Sequence, residues 1–142
     1  MANKFFFPKG GAETVFFQER ELLLTQKFAV IDFSMEDERN SPSPFSDYFV
    51  PNIDYYDQNN LQQKIRNALF FVHSPVAVRN IERLITKEKP EIAHLHNIYH
   101  QLTPSIIPVL KKHGVKVIMT LHDCKLTCPS YLALRSDGKI CT

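Results

Sequence analysis

The chain has 142 residues, 44% of them hydrophobic and 23% charged, with a formal net charge of +2 at pH 7. Such a composition supplies enough apolar material for one globular core and excludes a disordered chain. A surplus of two positive charges creates too weak a field to recruit nucleic acid by itself, so no nucleic-acid partner is expected.

The first element is announced by Phe7-Pro8-Lys9-Gly10-Gly11-Ala12-Glu13, a Gly-Gly turn that opens the apolar helical run Thr14 to Leu24. A turn of this kind normally follows the first strand of a parallel sheet. Little chain precedes it here, so that strand is expected to be truncated to Asn3 to Phe7 or absent. Gly10 and Gly11 let backbone approach a ligand closely, and the free amides at the helix start carry partial positive charge suited to a diphosphate. Lys9 adds a point charge, and Glu13 suits the helix dipole. The plain alternative is a sterically demanding turn that binds nothing.

Within residues 12–26, Val15, Phe16, Glu19, Leu22, Leu23 and Gln26 share one helical flank, which predicts a helix packed on a sheet along that flank. Lys27 to Ser34 (KFAVIDFS) then reads as a strand. Residues 34–60, with Pro42, Pro44 and Pro51, read as a long loop. A helical pattern runs from Leu61 to about Phe71, and Pro75 suits the first turn of another helix ending near Lys87-Glu88-Lys89-Pro90. Glu91 to His96 is the next predicted strand. Thr103-Pro104 looks like a cap and first-turn proline for a helix to Lys112, with Gly114 as its stop and Val115 to Leu121 as a final strand. This alternation predicts an α/β fold with a parallel sheet covered by helices on both faces. No apolar run approaches the ~18 residues of a membrane span, and MANKFFFPKGG lacks the apolar stretch of a secretory signal. Both point to the cytoplasm.

Polar residues gather just after the strands, where open α/β sheets bind ligands: Ser34, His96-Asn97 and His122-Asp123. His122 at the rim is open to proton transfer, sugar-hydroxyl binding or metal ligation, with Asp123 beside it to set a tautomer or bind a hydroxyl. A partly buried histidine satisfied by a carbonyl is the bland reading. His94 and His96, two apart in a strand, share one face and are either a metal-ligating pair or packing residues. Asn97, Tyr99, His100 and Gln101 form a polar loop that suits a polyhydroxylated molecule or simply solvent. Cys124, Cys128 and Cys141 make an odd number in a chain without an export signal, which argues against a disulfide framework. A zinc site built on them needs a fourth ligand, such as His122, His113 or a residue beyond Thr142.

Four segments together resemble the N-terminal domain of family-4 retaining glycosyltransferases with the two-domain GT-B architecture, in particular bacterial enzymes of surface-polysaccharide assembly. They are Asn3-Lys4 with Pro8 to Glu13, then Phe33-Ser34-Met35, then Glu91 to Asn97, and finally Thr120 to Asp123 with Cys128-Pro129, in the family's order along nearly the whole chain. The resemblance implies that residues 1–142 are one Rossmann-like domain, the acceptor-side half of a cleft, with the donor-binding C-terminal domain missing and the fragment inactive alone. It implies that Gly10 and Gly11 approach the donor diphosphate, that His122 is catalytic and contacts the transferred sugar, and that His96, Asn97 and Asp123 serve the sugar or acceptor. It further implies a nucleotide-diphosphate sugar as donor and a glycan or lipid-linked acceptor. No cofactor and no metal are implied, and the setting is the cytoplasm, with peripheral contact to the inner membrane face. A shortened first strand leaves sheet edges open to self-association. Two other classes compete: a non-catalytic α/β binding or interaction module, and a small metal-binding domain built on the cysteines.

Overall fold

In a computed structural model, which describes residues 1–52, 73–125, 128, 132–135 and 137–140, the Gly-Gly turn opens the helix α1 (Gly11–Thr25) with Gly10 as its N-cap. The helix ends at Gln26, after which Lys27 takes a left-handed conformation (φ 63°). Its amide bonds to Leu24 O at 2.9 Å and that of Phe28 to Leu23 O at 3.0 Å, the pair of bonds that closes a Schellman cap. Lys27 and Phe28 are thereby spent on ending the helix. The expected strand from Lys27 to Ser34 is shorter in consequence, with parallel bridges only at Phe33 and Met35.

The predicted loop over residues 34–60 also differs from expectation. It holds a short 3-10 helix, Ser46–Tyr48, and Val50 then bridges Met35 in parallel. The helix expected from Leu61 to Phe71 lies outside the described residues. Helix α2 (Pro75–Glu88) starts and stops where the sequence says: the Ser74 hydroxyl accepts the Ala77 amide at 3.2 Å, Pro75 occupies the first turn, and Lys89 closes the end in a left-handed conformation.

Strand β1 (Ile92–Leu95) pairs in parallel with β2 (Lys116–Met119), Ile92 opposite Lys116 and Leu95 opposite Met119. Between them lies α3 (Ile106–Lys112). Thr103 is not its cap; it sits at φ 60°, fully buried, and the helix begins after Ser105. Pro108 is tolerated as the third helical residue because amides of the first turn have no intrahelical partner. At the other end Gly114 (φ 76°) and Val115 bond back to Lys111 O and Leu110 O, so the predicted glycine stop is a second Schellman cap.

The truncated first strand is present but displaced. Ala2 bridges both Phe33 and Leu95 in parallel, with Ala2 N–H to His94 O at 2.8 Å and Phe33 N–H to Met1 O at 3.0 Å. The hydrogen-bonded order is therefore Val50, Phe33 to Met35, Ala2, β1, β2. Pairing runs over Met1 to Lys4 rather than Asn3 to Phe7, because the Asn3 side chain donates to Phe5 O at 2.8 Å and turns the chain away.

Ala93 and Leu95 face the main core with Ala77, Ile81, Leu84 and Ile85 of α2 and Ile106 and Leu110 of α3. His94 and His96 point to the opposite side, where α1 lies. On that side Phe6, Phe16 and Phe49 form a second apolar cluster. The buried side of α1 differs from the predicted flank: Glu13 and Phe16 are buried, whereas Val15 and Leu22 are exposed, Leu22 by 60%. Polar partners, not hydrophobicity, set that rotation. Glu13 faces Asn3, Glu19 faces His94 and His96, and Arg20 clasps the buried Asp32. Among the described residues no helix is long and apolar enough to cross a membrane.

Candidate functional site

Three sequence-remote segments meet where the parallel segments end. Asn3 is fully buried; its amide donates to Glu13 Oε1 at 3.3 Å, and its carbonyl oxygen accepts the Asn97 amide at 3.1 Å. Lys4 N–H bonds to Asn97 O at 2.8 Å. The helix opening at Gly10-Gly11 is thus tied to the end of β1 through one asparagine. Next to it, His96 Nδ1 lies 2.9 Å from His122 Nε2, which ties the end of β1 to the end of β2. The two rings are stacked at 5.2 Å, and Phe16 of α1 sets its edge against His96 at 5.1 Å.

Neither glycine is demanded by packing. Gly10 has extended backbone (φ −164°), and a side chain there would meet Glu13 Oε2 at an ordinary 3.6 Å. Beside Gly11 nothing lies within 4 Å. The sterically demanding turn is therefore not what these residues provide; they leave open space above the first helical amides. Lys4 and Lys9 both lie over the ring of Phe5, the Lys4 Nζ being 4.8 Å from its centroid. Lys4 is held below its usual pKa by burial and then by the repulsion of Lys9 and Lys125. Lys9 Nζ sits 3.7 Å over the Phe5 ring.

His122 and Asp123 are half-buried at the rim, as expected from their position after a strand. Asp123 does not orient His122: its Oδ1 accepts the Lys125 amide at 2.9 Å and caps the local turn, while the ring partner of His122 is His96. His96 is fully enclosed, so of the two rings only that of His122 reaches the rim. Burial, with His94 and His122 adding to it, pushes its imidazole down to about 3. Ser34 is also buried and donates to Lys4 O at 2.9 Å, a structural bond between neighbouring segments. In the polar loop, Gln101 is buried against Asn52 at 3.1 Å, and His100 Nε2 lies 3.0 Å from Lys125 Nζ.

Burial, followed by Lys125 and Lys4, pushes the His100 imidazole down to about 4. The unfolded chain, with histidine near ~6.5, binds the proton first as pH falls. The stability that His100 contributes is accordingly complete above pH ~6.5 and is lost toward pH ~4. Between pH 7.5 and 5 the unfolding free energy should drop by about 1–2 kcal/mol more in the parent than in His100→Asn, after allowance for partial exposure. Urea midpoints at the two pH values check this, and equal drops would refute it.

Of the cysteines, Cys124 is exposed and Cys128 is buried, the Cys128 amide bonding to Cys124 O at 2.8 Å; Cys141 lies outside the described residues. Among the described residues the set of side chains placed to hold a metal is Glu19, His94 and His96, without a cysteine. Sequence reasoning placed the two histidines on one face but missed Glu19, Lys4 and Lys125. A Glu facing inward on a helix that precedes two strand histidines was the available signal. No family model matches the chain, and no curated protein or solved structure is detectably similar to it.

Proposed function

We propose that this chain is the acceptor-side half of a retaining GT-B glycosyltransferase, built on a Rossmann-like domain. In this reading a sugar passes from a nucleotide-diphosphate donor to a glycan or lipid-linked acceptor at the cytoplasmic face of a membrane. The observation that carries it is the convergence of the Gly10-Gly11 turn, Asn3, Asn97, His96 and His122 through the bonds from Asn3 to Glu13 and Asn97 and from His96 to His122. The order Val50, Phe33 to Met35, Ala2, β1, β2 supports the fold assignment, because it reverses direction between Ala2 and β1. Open α/β sheets bind their ligands at such a reversal, at the carboxyl ends of the strands.

The reaction breaks the bond from the anomeric carbon to the diphosphate oxygen and forms a bond from that carbon to the acceptor oxygen on the same face; the acceptor hydroxyl's proton passes to the departing diphosphate. Negative charge develops on the departing diphosphate. In this reading the backbone amides at Gly10 and Gly11 stabilise it, with positive charge added by Lys4 and Lys9, which meet at the Phe5 ring. Glu13 occupies the inner side of the helix start, so the diphosphate approaches from the Gly11 side. His122, half-buried and held by His96, contacts the transferred sugar, and Asn97 and Asp123 border the acceptor. Two surface depressions, one lined by Tyr48, Arg79 and Glu82 and the other by Asp37, Arg39 and Asn52, contain none of these residues. In this reading the remaining walls that enclose the substrate come from a donor-binding domain.

With a donor-binding half supplied in the same polypeptide, His122→Ala should lower transfer by about 10²–10³-fold while the circular dichroism spectrum stays unchanged. Transfer at the parent rate would remove His122 from its role. Binding of the sugar ligands without transfer in the complete protein would instead identify a non-catalytic binding module.

A further inference from the structure

Glu19 reaches from α1 to a point between His94 of β1 and His96 just beyond its end. Its Oε2 lies 3.4 Å from His94 Nδ1 and 3.4 Å from His96 Nε2, and the three ligand atoms all fall within 4.8 Å of one another. Two ligands held at about 2.0–2.1 Å in tetrahedral geometry are roughly 3.3 Å apart. The two distances from Glu19 to the histidines therefore match those between atoms around a shared ion. Glu19 Oε2 and His96 Nε2 are moreover buried and make no hydrogen bond, to each other or to any described group. His96 itself is fully enclosed. Two facing buried polar atoms left without a hydrogen bond carry a desolvation penalty that a cation removes.

The far nitrogens of both rings are engaged in the way metal-bound imidazoles require. His94 Nε2 is 2.7 Å from Thr120 Oγ1, and His96 Nδ1 is 2.9 Å from His122 Nε2. If each of these nitrogens carries the proton and donates it outward, His94 Nδ1 and His96 Nε2 both present lone pairs toward Glu19.

We propose that Glu19, His94 and His96 form a binding site for a divalent transition-metal ion of the zinc class, with Thr120 and His122 as the outer hydrogen-bond acceptors that orient the two imidazoles. Two imidazoles and a carboxylate suit zinc or cobalt rather than magnesium or calcium, which favour all-oxygen sites. The side chains of Glu19 and His94 are 35% and 21% exposed, so an ion can enter and a fourth position is left for water. The ion pins α1 to β1 directly beneath the rim residue His122. The site meets the transfer site proposed above at His96 and His122, and its test does not depend on activity.

The chain, stripped with a chelator and dialysed, is titrated with Zn²⁺ by calorimetry and with Co²⁺ by visible absorption. One ion per chain is expected, with tetrahedral cobalt bands and no thiolate charge-transfer band. Glu19→Gln, which keeps the shape of the side chain, and His94→Ala should each weaken binding by about 100-fold, and Thr120→Val by about 10-fold. Cys124→Ser and Cys128→Ser should leave it unchanged. An absence of saturable binding, or a thiolate band that disappears with the cysteine substitutions, would overturn the proposal.

Discussion

Asp32→Ala is expected to destabilise the protein by about 3–5 kcal/mol, enough to threaten folding altogether. Asp32 is fully buried and receives a two-pronged contact from Arg20, Nε to Oδ1 at 2.8 Å and Nη2 to Oδ2 at 2.9 Å, with Ser43 Oγ donating to Oδ2 at 2.9 Å. Arg20 belongs to α1, Asp32 to the segment that pairs with Ala2, and Ser43 to the connection beyond. Removing the carboxylate leaves a guanidinium between packed elements without its counter-charge, and the cost lies in that unpaired charge more than in the lost attraction. Asp32→Asn keeps an acceptor for Arg20 and should fall between. The surface pair of Lys112 and Glu82, 76% and 45% exposed, provides the comparison: Glu82→Ala should cost less than about 1 kcal/mol. Urea unfolding of the three variants measures the series. Equal costs for Asp32→Ala and Glu82→Ala would show that the buried pair is not what anchors α1.

Phe16→Ala is the second large effect, at about 3–5 kcal/mol. The Phe16 ring is fully buried and lies edge-on to Phe6 at 6.1 Å, to Phe17 at 5.3 Å and to His96 at 5.1 Å. It is the contact through which the aromatic cluster of α1 meets His96 just beyond β1. Deletion creates a cavity that the sheet side cannot fill, since Ala93 and Leu95 face the other way. Besides the lost stability, the ring signals of His96 and His122 should shift in a proton–nitrogen correlation spectrum, whereas those of His113, on the far side of the core beside Glu82, should not. Phe16→Leu should recover most of the stability. A cost under about 1 kcal/mol for the alanine variant would mean that α1 is held by its polar contacts alone.

The elements legible in the sequence are those whose limits are set by neighbouring residues. Ser74-Pro75 and Lys89-Pro90 bracket α2, and Gly114 ends α3, because capping bonds span only a few residues and carry their own residue preferences. The start of the second parallel segment was misplaced for a related reason. Lys27 completes a cap usually given to glycine, so its residue type gave no warning. Thr103 misled in the opposite sense: it has the right side chain for a cap, yet the helix begins after Ser105.

For the site, the sequence by itself put His94 and His96 on one face, Gly10-Gly11 at a helix start and His122-Asp123 after a strand, because helix and strand periods are local properties of the backbone. Only the tertiary structure decided which way α1 faces and what those residues touch. Hydrophobic periodicity puts Glu19 on the packed flank without a partner and leaves Glu13 and Arg20 off it, but all three are turned inward by groups on other segments, the histidine pair, Asn3 and Asp32. A charged side chain is buried when an opposite group waits for it, and that group's position is a property of the folded chain, absent from any window of sequence. The same holds for His122, whose partner is His96, twenty-six residues away, rather than the adjacent Asp123.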